Sequence, residues 1–207
     1  RIHRKRRAIK RRVYKVPGPH YLWHIDGCHK MIRYGLVVHG CIDGFSRFVT
    51  YLQCSNNNLS STVGHLFDRA ILEHGSPSHI RIDGGVENRA VVLRMLFERG
   101  IDRRSVLVGP SVHNQRIERF WRDCRTCILS YYLSIFERLE VEVGMDIGNV
   151  AHKFILQHLF LDCINEDLDL FVKTWNNHSL RTERGRMSPS QLLLVNSKTS
   201  FAEPTSD

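Results

Sequence analysis

The stretch that decides how this chain is read begins I-R-I-D-G-G-V-E-N at residues 80–88 and closes V-H-N-Q-R-I-E-R-F-W at residues 112–121. Upstream, L-W-H-I-D-G at residues 22–27 supplies a further acid, Asp26. Asp26 and Asp83 end short apolar segments, whereas Glu118 lies in a helix-like segment. Carboxylates at the ends of neighbouring strands and on an adjacent helix project from rigid backbone toward one point. Such a set repels itself without a cation, so its expected complement is a hard divalent ion with oxygen ligands. Two such ions about 4 Å apart activate an attacking oxygen and stabilise a leaving one during displacement at phosphorus. Each acid alone has a plain alternative, since Asp-Gly is common in turns and Glu on exposed helix faces. Their ordered combination carries the metal reading.

Outward from these acids, the pattern predicts a mixed α/β unit. Pro17-Gly18-Pro19 releases an extended approach to Asp26. G-L-V-V-H-G-C-I (residues 35–42) and F-V-T-Y-L-Q-C (residues 48–54) read as two further strands, close enough to form an antiparallel meander. Asp43, in the Asp-Gly turn between them, either assists the site or serves the turn. A helix follows from Ser60 or Ser61 to about Glu73, with Val63, Leu66, Phe67, Ala70 and Ile71 on one side. Residues 79–82 form a short strand that delivers Asp83 into a Gly-Gly turn, with Glu87 and Asn88 at the next helix start. That turn lacks the Lys and Ser/Thr of a P-loop. Residues 105–108 read as a fifth strand. The helix after it carries Ile117, Phe120, Trp121, Cys124, Ile128, Leu129 and Tyr132 on its apolar side. A longer helical region follows, expected to pack on the sheet or on another subunit. Ser188-Pro189 fits the cap and first turn of a short final helix.

Charge is unevenly spread. The chain carries +9, but Arg1, Arg4, Lys5, Arg6, Arg7, Lys10, Arg11 and Arg12 place +8 in the first 12 residues. This basic leader (residues 1–19) precedes a core at residues 20–193 and a tail expected to be flexible at residues 194–207. Its residues Arg4, Lys5, Arg6, Arg7, Lys10, Arg11 and Arg12 suit a nucleic-acid backbone, where counterion release drives binding, and also suit nuclear import. A solvated basic segment is the plain alternative. Arg181, Arg184 and Arg186 either contact phosphates or keep a terminal helix soluble. No apolar run reaches the roughly 18 residues of a membrane span. The six cysteines are scattered, and Cys124 with Cys127 reads as a helix-face pair rather than a zinc site, which fits an intracellular protein.

The motifs W-H-I-D-G, I-D-G-F-S-R-F-V, I-R-I-D-G-G-V-E-N and H-N-Q-R-I-E-R-F-W, followed by W-N-N-H-S-L-R and M-S-P-S-Q-L-L, resemble the integrase core of retroviruses, retrotransposons and related DDE transposases. Asp83 and Glu118 stand 35 positions apart, as in that family's D, D-35-E pattern. The resemblance implies an RNase H-like five-stranded mixed sheet flanked by helices. It also implies that Asp26, Asp83 and Glu118 are catalytic and bind two Mg2+ or Mn2+ ions, that the substrate is DNA, and that the chain forms a homodimer or higher oligomer on DNA in the nucleus. Asn114, Gln115 and Arg119 would position DNA near Glu118, with Asp43 and Glu87 in support. The sequence departs from the commoner wording at Gly84, where many integrases have Asn, and at Arg116, where a small Gly is frequent. Two other readings stand beside strand cleavage and transfer: a noncatalytic DNA-binding or assembly module, and an RNase H-like nuclease acting on RNA-containing substrates.

Overall fold

The computed structural model describes residues 16–109, 114–180 and 185–197. The leader residues Arg4, Lys5, Arg6, Arg7, Lys10, Arg11 and Arg12, and also Arg181, Arg184 and the end of the tail, lie outside the described residues. Five strands, β1 (Leu22–Cys28), β2 (Val37–Asp43), β3 (Val49–Ser55), β4 (His79–Ile82) and β5 (Val106–Val108), form one sheet in the order β3-β2-β1-β4-β5. β1–β2 and β2–β3 are antiparallel, while β1–β4 and β4–β5 are parallel. The short meander links and the helical crossovers dictate this mixture, because only a long connection returns a strand parallel. The mixed sheet flanked by helices is the RNase H-like architecture expected from the resemblance.

Alternation along the strands divides the core between two faces. Trp23, Ile25, Ile80 and Ile82 pack with α1 (Ser60–His74) and α2 (Arg89–Arg99), through Phe67, Ala70, Val91 and Met95. On the other face, Val38, Ile42 and Leu52 pack against Ile117, Phe120, Trp121 and Phe136. These come from α3 (Gln115–Cys124) and α4 (Ser130–Val143), with α5 (Val150–Asn177) adding Leu156, Ile164 and Leu168. Strand period two therefore turns His24, Asp26 and Cys28 toward α3.

Between α3 and α4 the helix passes through a π-helical turn, Arg125–Leu129. Thr126 donates its hydroxyl to the Arg122 carbonyl at 2.9 Å within this wide turn. The extra residue rotates the chain so that the buried series runs Cys124, Leu129, Tyr132, Phe136, leaving Cys127 exposed and Ile128 only partly buried.

α5 spans 28 residues, about 42 Å at 1.5 Å per residue, and lies along the edge strand β3. Its Asn165 side chain accepts from Cys54 N at 2.8 Å and donates to Cys54 O at 3.1 Å. Asn176 does the same to Val49, at 2.8 and 3.1 Å. α6 (Pro189–Ser197) opens with a capping box. Ser188 Oγ accepts from Gln191 N at 3.3 Å, and Gln191 Oε1 accepts from Ser188 N at 2.9 Å.

Candidate functional site

Asp26 lies on β1 directly opposite Gly40 of β2. A Cβ at Gly40 would stand 2.8 Å from Trp121 Cη2, so the missing side chain is what admits the Trp121 ring between sheet and helix. From there the indole Nε1 donates to Asp26 Oδ2 at 2.9 Å. Asp83 follows β4, which runs parallel to β1 with His24 opposite Arg81. Two residues beyond that pair, Asp83 falls beside Asp26, about one strand spacing of 4.8 Å away in backbone terms. Glu118 is exposed in the first turn of α3, its amide donating to Asn114 O at 3.2 Å.

Asn114 sets the angle of α3. It is buried and turned inward, donating through Nδ2 to Ile25 O at 3.1 Å and meeting His24 Nδ1 through Oδ1. Its side chain therefore joins α3 to β1. His24 is fully buried, and burial holds its imidazole down at about 4, with Arg81 and Arg116 adding in the same direction against the bond from Asn114. It is a neutral structural partner.

Burial is also the leading influence on Asp26, whose carboxyl is pushed up to about 6. The Trp121 bond opposes this shift, and the charges of Glu118 and Asp83 add to it. Both acids are thus close enough to repel Asp26. They are not, however, gathered around one point. Among the described residues no group of three or more His, Cys, Asp or Glu side chains stands close enough to hold a metal ion.

The hydrogen bonds account for this. Asp26 is engaged by Trp121, while Asp83 Oδ1 accepts from Gly85 N at 3.1 Å and Asn88 Nδ2 at 3.0 Å. Asp83 lines a cleft with Gly84, Gly85, Asn88, Arg89 and Val108. Glu118 lines a different one, with Cys28, Lys30, Trp121, Arg122 and Arg125. Two aspartates and a glutamate have the donor chemistry for Mg2+ or Mn2+, and Asp26, Asp83 and Glu118 are the residues that would hold an ion, although among the described residues they do not stand together as one metal-binding group.

The remaining expected residues divide similarly. Asp43 is fully buried and occupied by the β2–β3 turn, accepting from Ser46 N and Ser46 Oγ at 2.7 Å, Phe45 N at 3.1 Å and His20 N at 2.8 Å. It takes the turn role of the two open to it. Glu87 folds back over Gly85, where any Cβ would meet its carboxylate. Arg119 is exposed and 3.9 Å from Asp123. Gln115 begins α3, and Arg186 is exposed beyond α5. Sequence reasoning missed Lys30, Arg122 and Arg125. The signal was available, since Glu118, Arg122 and Arg125 recur at helical spacing.

The fold is similar to retroviral integrase cores. The catalytic core domain of HTLV-2 integrase, solved in complex with magnesium in a dimeric form, matches with TM-score 0.52 and 19% identity over 86% of this chain and 98% of that one. The catalytic core of BIV integrase matches with TM-score 0.58 and 16% identity over 88% and 99%. A chain of the simian T-cell lymphotropic virus intasome, solved with PP2A regulatory subunit B56 gamma, matches with TM-score 0.56 and 16% identity over 95% and 59%. A search of curated proteins finds no match. At sequence level the family described as "Integrase core domain" matches residues 13–204, nearly the whole chain, and the protein belongs to that family.

Proposed function

We propose that this chain is a DNA-binding and assembly module built on the integrase core fold. The observation that carries this reading is that Asp83 and Glu118 line separate clefts while Asp26 and Asp83 are held by protein donors. The Glu118 cleft presents Lys30, Arg122 and Arg125, which suit phosphate oxygens. The basic leader adds sequence-independent attraction to the DNA backbone and serves nuclear import. The copies assemble on DNA as a homodimer or higher oligomer.

A second reading is metal-dependent strand cleavage and strand transfer, and a specific observation favours it: Glu118 and Asp83 both raise Asp26 by like-charge repulsion. With Asp26 and Asp83 on adjacent strands, side-chain rotation away from Trp121, Gly85 and Asn88 is the change this reading requires. Asp26, Asp83 and Glu118 would then hold one or two Mg2+ or Mn2+ ions, which supply nucleophile activation at phosphorus.

The two readings separate in one experiment. Wild type and D83N are compared for binding and for cleavage or joining of DNA duplexes with varied ends, and of an RNA/DNA hybrid, in Mg2+ and Mn2+. The proposed function expects equal binding and unchanged substrate for both proteins. Strand joining by wild type and not by D83N overturns it in favour of the integrase reading. Selective cleavage of the hybrid points to a nuclease.

A further inference from the structure

The turn between α4 and α5 forms a face whose chemistry differs from the rest of the molecule. Leu139 and Val143 of α4, Met145 of the turn, and Ile155 and Leu159 of α5 line an apolar groove of about 230 Å3. Phe154, Ile155 and Leu159 are 66%, 53% and 59% exposed. Phe154, next to Ile155 in sequence, stacks on His158 at 6.1 Å between ring centroids and lines a second cleft with Gln157, Leu161 and Asp162. Clustered apolar exposure of this kind marks an interaction surface.

Charge identifies the occupant. Residues 137–169 carry eight acids against Arg138 and Lys153, a net −6 within a chain of net +9. Along the outer side of α5 the apolar residues give way to Asp162, Glu166 and Asp169, all exposed. A nucleic acid is repelled by such a face. A second copy placed here about a two-fold axis would present the same net-negative patch, since an isologous contact repeats one surface on both sides, and so would bring no opposite charge to these acids. An apolar groove continued by acids instead complements a helix with apolar anchors and Lys or Arg beside them.

We infer that the α4–α5 face is a docking site for a basic amphipathic helix of another protein. Apolar side chains of that helix seat beside Phe154, Ile155 and Leu159, and its basic residues meet Asp162 and Glu166. The site lies apart from the clefts of Asp83 and Glu118, so the partner and DNA bind together.

The test uses the full chain and two labelled 18-residue peptides, one of leucine and lysine at amphipathic helical spacing and one of leucine and glutamate. Fluorescence anisotropy should show the lysine peptide binding at least tenfold more tightly than the glutamate peptide, even though the whole protein is cationic. F154S/I155S should weaken it at least tenfold, with DNA binding unchanged. D162N/E166Q should weaken it about threefold at low salt and less at high salt. Equal binding of both peptides, or indifference to F154S/I155S, overturns the inference. So does a wild-type dimer in sedimentation that F154S/I155S converts to monomer, which would make a second copy the occupant.

Discussion

Replacing Asp26 with Asn tests the electrostatics of the site most directly. Burial, with Glu118 and Asp83 assisting, raises its carboxyl from an ordinary 3.8 to about 6. A shift of about two units at about 1.4 kcal/mol each is worth at most about 3 kcal/mol. The folded protein binds the proton more tightly than the unfolded chain, so this contribution is fully present below about pH 4 and is lost as pH rises through about 6. D26N keeps an oxygen to accept the Trp121 N–H and removes the charge. Urea denaturation of both proteins at pH 4, 5, 6 and 7 should therefore show wild type losing up to about 3 kcal/mol relative to D26N across that range. Parallel stability profiles, or D26N less stable at pH 7, would refute the reasoning. Saturating Mg2+ at pH 7 adds a second comparison: stabilisation of wild type but not D26N would mean that the carboxylates close around an ion.

Other perturbations read the supporting structure. G40A places a methyl 2.8 Å from Trp121 Cη2; it should destabilise by about 1–3 kcal/mol and change the tryptophan near-ultraviolet signal as the ring shifts. N176A leaves Val49 N–H and C=O without their side-chain partners, and should cost about 2–4 kcal/mol in chemical denaturation. Deleting residues 1–12 removes eight basic side chains; DNA affinity should fall, and the slope of log K against log salt should flatten by up to about 7. An unchanged slope across a salt titration would show that the leader does not contact the backbone.

Strand and helix periodicity made most of the fold legible, because Trp23 and Ile25 alternate with His24 and Asp26 along β1 and residues 37–43 read as a strand buried on both faces. The fifth strand is shorter than read, Val106–Val108 rather than residues 105–108, since Ser105 contributes only a carbonyl to Ile80 N. The π-helical turn was not legible: on a regular helix Ile128 continues the stripe of Ile117, Phe120, Trp121 and Cys124 and Leu129 stands about 100° away, and only the wide turn brings Leu129 into the core. At the site, spacing located the three acids on the right elements. What it could not supply was side-chain direction. Trp121 is an ordinary apolar residue of a helical stripe until Gly40 lets its ring across to Asp26. Asn114 likewise looks like a polar residue near an active site, yet its amide is a rivet between α3 and β1.

The two asparagines of α5 have a consequence for how copies of this protein can join. A border strand ordinarily offers unused peptide groups that recruit foreign chains into a growing ribbon. Here the peptide groups of Val49 and Cys54 are already taken by the protein's own amides. Annexing β3 would first require prising a long helix off its seat. The opposite border, β5, is only three residues long. Ribbon-type fusion is discouraged on both margins, and any contact between copies is left to helical surfaces.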